Sequence, residues 1–140
     1  VGAAQSWGRK QEYFDMTNAP DTQKTPQQNP PEKWRANLMD AMQALRERSD
    51  PRFEILLAQG SMSVEVYAPD KIDHQTPHRQ DELYIIQSGS GMFYRDGSYS
   101  ACTAGDVLFV PAGMAHRFDD FSDDFVTWVI FWGQKGGETP

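Results

Sequence analysis

From Phe53 onward the chain is cut into eight short apolar stretches, at 53–58, 61–67, 82–87, 91–95, 99–103, 106–110, 116–119 and 125–132. Turn formers stand between them, among them Asp96-Gly97, Ala104-Gly105-Asp106 and Pro111-Ala112-Gly113. None of these stretches is long enough to read as a helix, whereas each suits a strand whose side chains alternate between two faces. Asp96-Gly97 between two alternating runs marks a tight hairpin, because both central residues of that turn need a left-handed backbone. Many short antiparallel strands at even spacing bury their apolar faces by stacking as a sandwich or closing as a barrel. The predicted fold class is therefore all-β, an antiparallel barrel or jelly roll.

The segment before Phe53 reads differently. Residues 1–30 are polar and turn-rich, which predicts an extended N-terminal arm. Asn29 suits an N-cap, Pro30 the first helical position and Glu32 the capping-box position. Trp34, Leu38, Met42 and Leu45 then recur at helical spacing, and Asp50-Pro51 ends the pattern. One amphipathic helix is expected over about 32–48. With 140 residues the chain supports a single core, so 31–140 is read as one domain whose barrel covers about 53–132.

The charge balance excludes some partners. Lys and Arg number 13 against 20 Asp and Glu, a net charge of -7, which is wrong for nucleic acid and for an anionic membrane surface. No stretch reaches the roughly 20 apolar residues of a membrane helix. Cys102 is the single cysteine, so no intrachain disulfide can form, and a reducing, cytoplasmic setting is expected. The chain opens VGAAQSWGRK without Met, and a leader already removed would leave no trace.

Chemistry concentrates in HQTPHRQDELYIIQSGSG, residues 74–91. His78 and Glu82 share strand parity, and His74, Thr76, Gln80, Tyr84 and Ile86 fall on the same side. The third histidine, His116, follows the turn PAGMA and opens a strand that antiparallel pairing can lay beside the other two. Two imidazoles and a carboxylate suit one divalent first-row metal (Fe, Mn, Zn or Ni), with positions left open for water or substrate. Arg79 and Arg117 lie next in sequence to ligand candidates and so point to the opposite face. They are poor partners for a buried Glu82.

These residues resemble the cupin superfamily. Its first motif, G-x5-H-x-H-x3,4-E-x6-G, is matched by His78, Glu82 and Gly89, and its second, G-x5-P-x-G-x2-H-x3-N, by Gly105, Pro111, Gly113 and His116. The sequence departs from the motifs at Thr76, in place of the first histidine, at Asp70, in place of the opening glycine, and at Asp120, in place of the final asparagine. The resemblance implies metal ligands His78, Glu82 and His116, with His74 or Thr76 as candidates for a fourth position. It also implies a set of metal-dependent reactions on small polar molecules, including dioxygenases, isomerases and lyases. His74 and Tyr84 are the candidates for proton transfer or substrate orientation.

Two other readings stay open: a non-catalytic small-molecule binding or sensing cupin, and a structural cupin with a vestigial site. The last strand is apolar on both faces, with Trp128 and Trp132 on one and Phe131 on the other, and either face can line the interior. The other face is expected to pack against the helix or a second subunit, and this strand together with the long arm points to a homodimer. Cys102 reads as a strand core residue, Asp81 as an exposed surface or turn-stabilising one, and the run 119–125 as a solvated turn.

Overall fold

A computed structural model describes residues 33–48 and 52–140. The expected arm at 1–30 and the cap signal at Asn29, Pro30 and Glu32 lie outside the described residues. Within them one helix, α1 (Leu38–Arg46), precedes eight strands. In chain order these are β1 (Phe53–Gln59), β2 (Met62–Tyr67), β3 (Asp81–Ser88), β4 (Ser90–Arg95), β5 (Ser98–Thr103), β6 (Val107–Val110), β7 (His116–Asp119) and β8 (Val126–Trp132). All eight strands fall within one or two residues of the positions that alternation and turns predict.

The strands form two antiparallel sheets, one of five in the order β1-β2-β8-β3-β6 and one of three in the order β5-β4-β7. The jelly-roll expectation holds, but the sheets remain two open layers and do not close into a continuous barrel. Their inner faces meet in a core of Tyr84, Ile86, Val110 and Val129 from the larger sheet against Phe93, Cys102 and Phe118 from the smaller. Tyr84 makes edge contacts with Phe93 and Phe118, at ring separations of 5.8 and 5.0 Å. Cys102 is part of this core, and burial pushes its thiol up from its ordinary value.

The β4–β5 hairpin turns at Asp96 (φ 46°) and Gly97 (φ 88°), the left-handed pair its sequence calls for. Gly89 is required for a different reason. A Cβ there would lie 2.8 Å from the Phe125 Cα, so only glycine lets the β3–β4 connection pass the segment entering β8. Asp120 has φ 49°, a conformation that Asn and Asp tolerate better than other side chains, which accounts for its standing in for the motif's asparagine.

The helix corrects the sequence expectation of 32–48. Its N-cap is Asn37, whose side-chain oxygen accepts from the Asp40 N–H at 3.0 Å, and residues 33–37 are not helical. Trp34 therefore leaves the proposed stripe and is 77% exposed. The face that packs is Ala41 and Leu45, with Met42 alongside, against Leu56, Val66, Ala68 and Val126. This settles the two faces of β8. Val126 and Trp128 turn toward the helix, while Val129 and Phe131 turn toward the interior.

Candidate metal centre

The two halves of the site come from different sheets, and the turn 111–115 joins them. His78 and Glu82 flank the start of β3, and His116 opens β7. The Gly113 N–H donates to the His78 carbonyl at 2.7 Å, and the Ala112 N–H donates to Asp81 Oδ1 at 2.9 Å. Asp81 Oδ2 accepts from the Glu138 N–H at 2.8 Å, so one carboxylate ties both the turn and the C-terminal segment to β3. These two bonds hold the Asp81 carboxyl below the usual range. The turn-stabilising role expected of Asp81 is present, but the residue is buried instead of exposed.

The ligand-type atoms of His78, Glu82 and His116 all lie within 4.8 Å of one another. Glu82 is 1% exposed, and its Oε2 is 2.8 Å from His78 Nδ1 and 3.1 Å from His116 Nε2. His116 Nδ1 is 2.8 Å from the Met114 carbonyl, which can only accept. The proton of a neutral His116 therefore sits on Nδ1, and Nε2 is free as a ligand atom. The Tyr84 hydroxyl donates to Gln75 Oε1 at 2.7 Å and lies 3.0 Å from His116 Nε2. With His116 neutral, Nε2, the Tyr84 oxygen and Glu82 Oε2 all turn lone pairs to one point, which a proton on Nε2 or a bound cation resolves.

Burial pushes the Glu82 carboxyl up, but hydrogen bonds with His116 and then His78 outweigh it and hold the group below its ordinary value. Burial pushes His116 down, and its bond to Glu82, then that to the Met114 carbonyl, more than reverse this. Burial first and the Glu82 charge second hold the Tyr84 hydroxyl well above its ordinary value, so it keeps its proton. Glu82 Oε1 is buried with no hydrogen-bond partner. An orphaned carboxylate oxygen is costly, and two imidazoles beside it are the donors a divalent first-row ion takes. The residues fit a metal.

Arg117 does not compensate Glu82. Its guanidinium lies 4.2 Å from the Tyr94 ring centre and pairs with Asp119 at 2.9 Å. A cavity of about 520 Å³ opens over the site, lined by His78 and Glu82 together with Glu65, Val129 and Phe131. His74 and Thr76 are exposed on its wall, and His74 is not among the three residues whose donor atoms cluster. Tyr84 is fully buried and reaches the site through His116.

Three residues that the sequence reading passes over belong to the site. Gln75 links Tyr84 to Asp73, its amide donating to Asp73 Oδ2 at 2.8 Å. Asp73 is buried and accepts from the Tyr67 hydroxyl and the Phe118 N–H, both at 2.8 Å. Glu65 stands on β2 in the cavity wall, and burial pushes its carboxyl up. A signal for Glu65 was present in SMSVEVY. If Val64 and Val66 pack the helix, Ser63, Glu65 and Tyr67 must face the interior.

Comparison with known proteins agrees with this construction. An uncharacterized protein of Streptomyces coelicolor is 36% identical over 95 residues, 66% of this chain and 90% of its own. An acireductone dioxygenase of Gluconacetobacter diazotrophicus is 38% identical over 72 residues, 48% of this chain but 40% of its own length. Among solved structures, a cupin 2 conserved barrel domain protein of Salinispora arenicola superposes with a TM-score of 0.51 at 22% identity, covering 61% of this chain and 80% of that one. A Photorhabdus luminescens protein gives 0.54 at 17%, covering 62% and 78%. At these identities the structural likeness concerns the fold. The sequence profile of the ARD/ARD' family, whose members are metal-binding cupins, matches residues 11–140. The chain belongs to the ARD/ARD' family.

Proposed function

We propose that this chain is a metal-dependent enzyme of the dioxygenase type, acting on a small oxygen-rich molecule of the acireductone class. The observation that carries the reading is the buried, unpartnered Glu82 Oε1 within a His78–Glu82–His116 cluster at the base of a ligand-sized cavity. Membership of the family and the local likeness to acireductone dioxygenases support iron or nickel over manganese or zinc. When bound, such a metal supplies Lewis-acid polarisation of a substrate oxygen and, if iron, access to dioxygen.

The chain's own residues then have separate tasks. The Met114 carbonyl fixes His116 with Nε2 toward the site, and the protonated Tyr84 hydroxyl, tied to Gln75 and through it to Asp73, stands beside that ring. Val129 and Phe131 line the cavity with apolar surface and limit water. His74, at the exposed wall, is placed to receive or return a proton at the substrate. Thr76, in the position of the motif's first histidine, offers a hydroxyl to a water or substrate oxygen at the fourth position.

The test is oxygen uptake by iron-loaded protein offered an acireductone. Substrate loss in air, absent under nitrogen and absent in His116→Ala, is the expected result. Metal-loaded protein that binds the compound and leaves it intact in air supports the second reading, a binding module. The observation favouring that reading is that, among the described residues, the His, Cys, Asp and Glu donors that cluster at the site number three. A homodimer is part of the proposal. Val107 and Phe109, exposed and outward on edge strand β6, and the exposed Trp34 are the surfaces that would associate. A mass of about 16 kDa by light scattering at micromolar concentration would contradict it.

A further inference from the structure

We infer that Asp73 and Gln75 keep the proton of the Tyr84 hydroxyl turned away from His116, and so keep His116 Nε2 open to a metal. This inference deepens the metal-site reading above and rests on it for the ion's place.

The direction of the hydrogen-bond chain Asp73–Gln75–Tyr84–His116 is set at its acidic end. Asp73 lies in the connection between β2 and β3 and is buried. Its Oδ1 accepts from the Tyr67 hydroxyl at 2.8 Å and the Gln75 N–H at 3.0 Å. Its Oδ2 accepts from the Phe118 N–H and the Gln75 side-chain amide, both at 2.8 Å. An ionised carboxylate can only accept, so the Gln75 amide must present its NH2 group to Asp73. Turned over, it would set Oε1 against Oδ2, two buried acceptors in contact.

One end of the amide thus fixes the other. Oε1 is left facing Tyr84, and a carbonyl oxygen also only accepts. The Tyr84 hydroxyl has a single proton, which goes to Oε1 at 2.7 Å. Only its lone pairs then face His116 Nε2, 3.0 Å away. The Met114 carbonyl already commits the proton of a neutral His116 to Nδ1. Glu82 Oε2 lies 3.1 Å from the same Nε2, so a third acceptor meets there. Tyr84 is fully buried and has no water to turn to. Released from Gln75, its hydroxyl would donate to Nε2, and a metal would have to break that bond to reach the nitrogen. Asp73 is outside the cluster of donor atoms, so it acts on the ligand through two intervening side chains. A chain that served only to tie this connection to β3 and β7 would act whether or not position 84 carries a hydroxyl.

The experiment is calorimetric titration of the metal-free protein with nickel, on wild type, Gln75→Leu, Tyr84→Phe and the double variant. This cycle isolates the coupling between the two side chains. Gln75→Leu should weaken nickel about tenfold, the scale of one hydrogen bond that the ion must displace. In the Tyr84→Phe background the same substitution should cost less than about threefold, because no hydroxyl remains to cap Nε2. Asp73→Asn, which lets the Gln75 amide turn over, should also weaken nickel, and by less when combined with Tyr84→Phe. Urea unfolding shows which variants fold, and if Asp73→Asn does not, the Gln75 cycle decides. Equal losses from Gln75→Leu in the two backgrounds would overturn the inference, since the chain would then act by packing alone. So would nickel affinity in Gln75→Leu unchanged to within twofold. Wild type that takes up no nickel would instead overturn the metal reading, and this inference with it.

Discussion

The two faces of β8 run through two different kinds of interior. On the helix side, Val126 and Trp128 meet Ala41, Leu45, Leu56, Val66 and Ala68, a layer of hydrocarbon with no buried charge. On the other side, Val129 and Phe131 share their layer with Glu82, His116 and Tyr84, where a carboxylate oxygen is buried without a partner. The same strand alternation builds both. The helix side lowers the free energy of the fold by burying apolar surface. The cavity side keeps groups that cost stability until something binds them. Stability and chemistry are thus separated by one residue of strand register, and substitutions should separate them too.

The largest effect is expected on the cavity side and should spare the fold. Glu82→Gln keeps the side chain's shape but removes the anionic donor. Metal affinity should fall by more than a hundredfold, while metal-free protein stays folded with a lowered urea midpoint at neutral pH, because the hydrogen bonds that hold the Glu82 carboxyl below its ordinary value lose their charged acceptor. Metal titration and urea unfolding of the same samples check both halves. Leu45→Ala should do the reverse. Truncating a buried leucine costs about 2–5 kcal/mol, so the urea midpoint should drop sharply with metal stoichiometry unchanged.

Legibility follows the same division. Strand positions were readable because alternation and turn residues are local signals, and the trio His78, Glu82 and His116 because the two motifs carry it, although His78 precedes β3 and strand parity does not place it. The start of α1 was not readable. Asn29-Pro30 and Asn37 are both good caps, and propensity does not choose between them until Ala41 and Leu45 find Leu56 and Val66. Nor was the inner face of β8, which is apolar on both sides. Gln75 and Asp73 escaped because they lie outside the strands and act through bonds to residues distant in sequence, such as Phe118. Glu65 escaped because a glutamate between two valines reads as a solvent-facing residue.

Asp81→Asn tests the junction between the regions. It loses the charge behind one bond that holds the turn leading to His116 and another that holds the C-terminal segment. Metal affinity should fall about tenfold, the scale of outer-sphere effects, with a lowered thermal midpoint. Metal affinity unchanged to within twofold would show that the turn holds its place without this tie.

The smallest effect belongs to Glu65. Its carboxyl is raised by burial, so its contribution to stability is fully present below the unfolded value and is lost as pH rises through the folded one. Glu65→Gln should therefore match wild type near pH 4 and gain on it toward pH 8. Solvent screening keeps the gain below about 1 kcal/mol. Urea midpoints at the two pH values read it, and a gain confined to acid pH would reverse the sign of the account.

The most direct test of the metal centre is metal content by plasma mass spectrometry, on protein purified without chelator or a metal-affinity tag, beside His116→Ala. The account predicts near-stoichiometric metal, iron or nickel, in wild type, and loss of that metal in a variant that remains folded. Wild-type protein that carries no metal and takes up none of added Fe, Ni, Mn or Zn would contradict it.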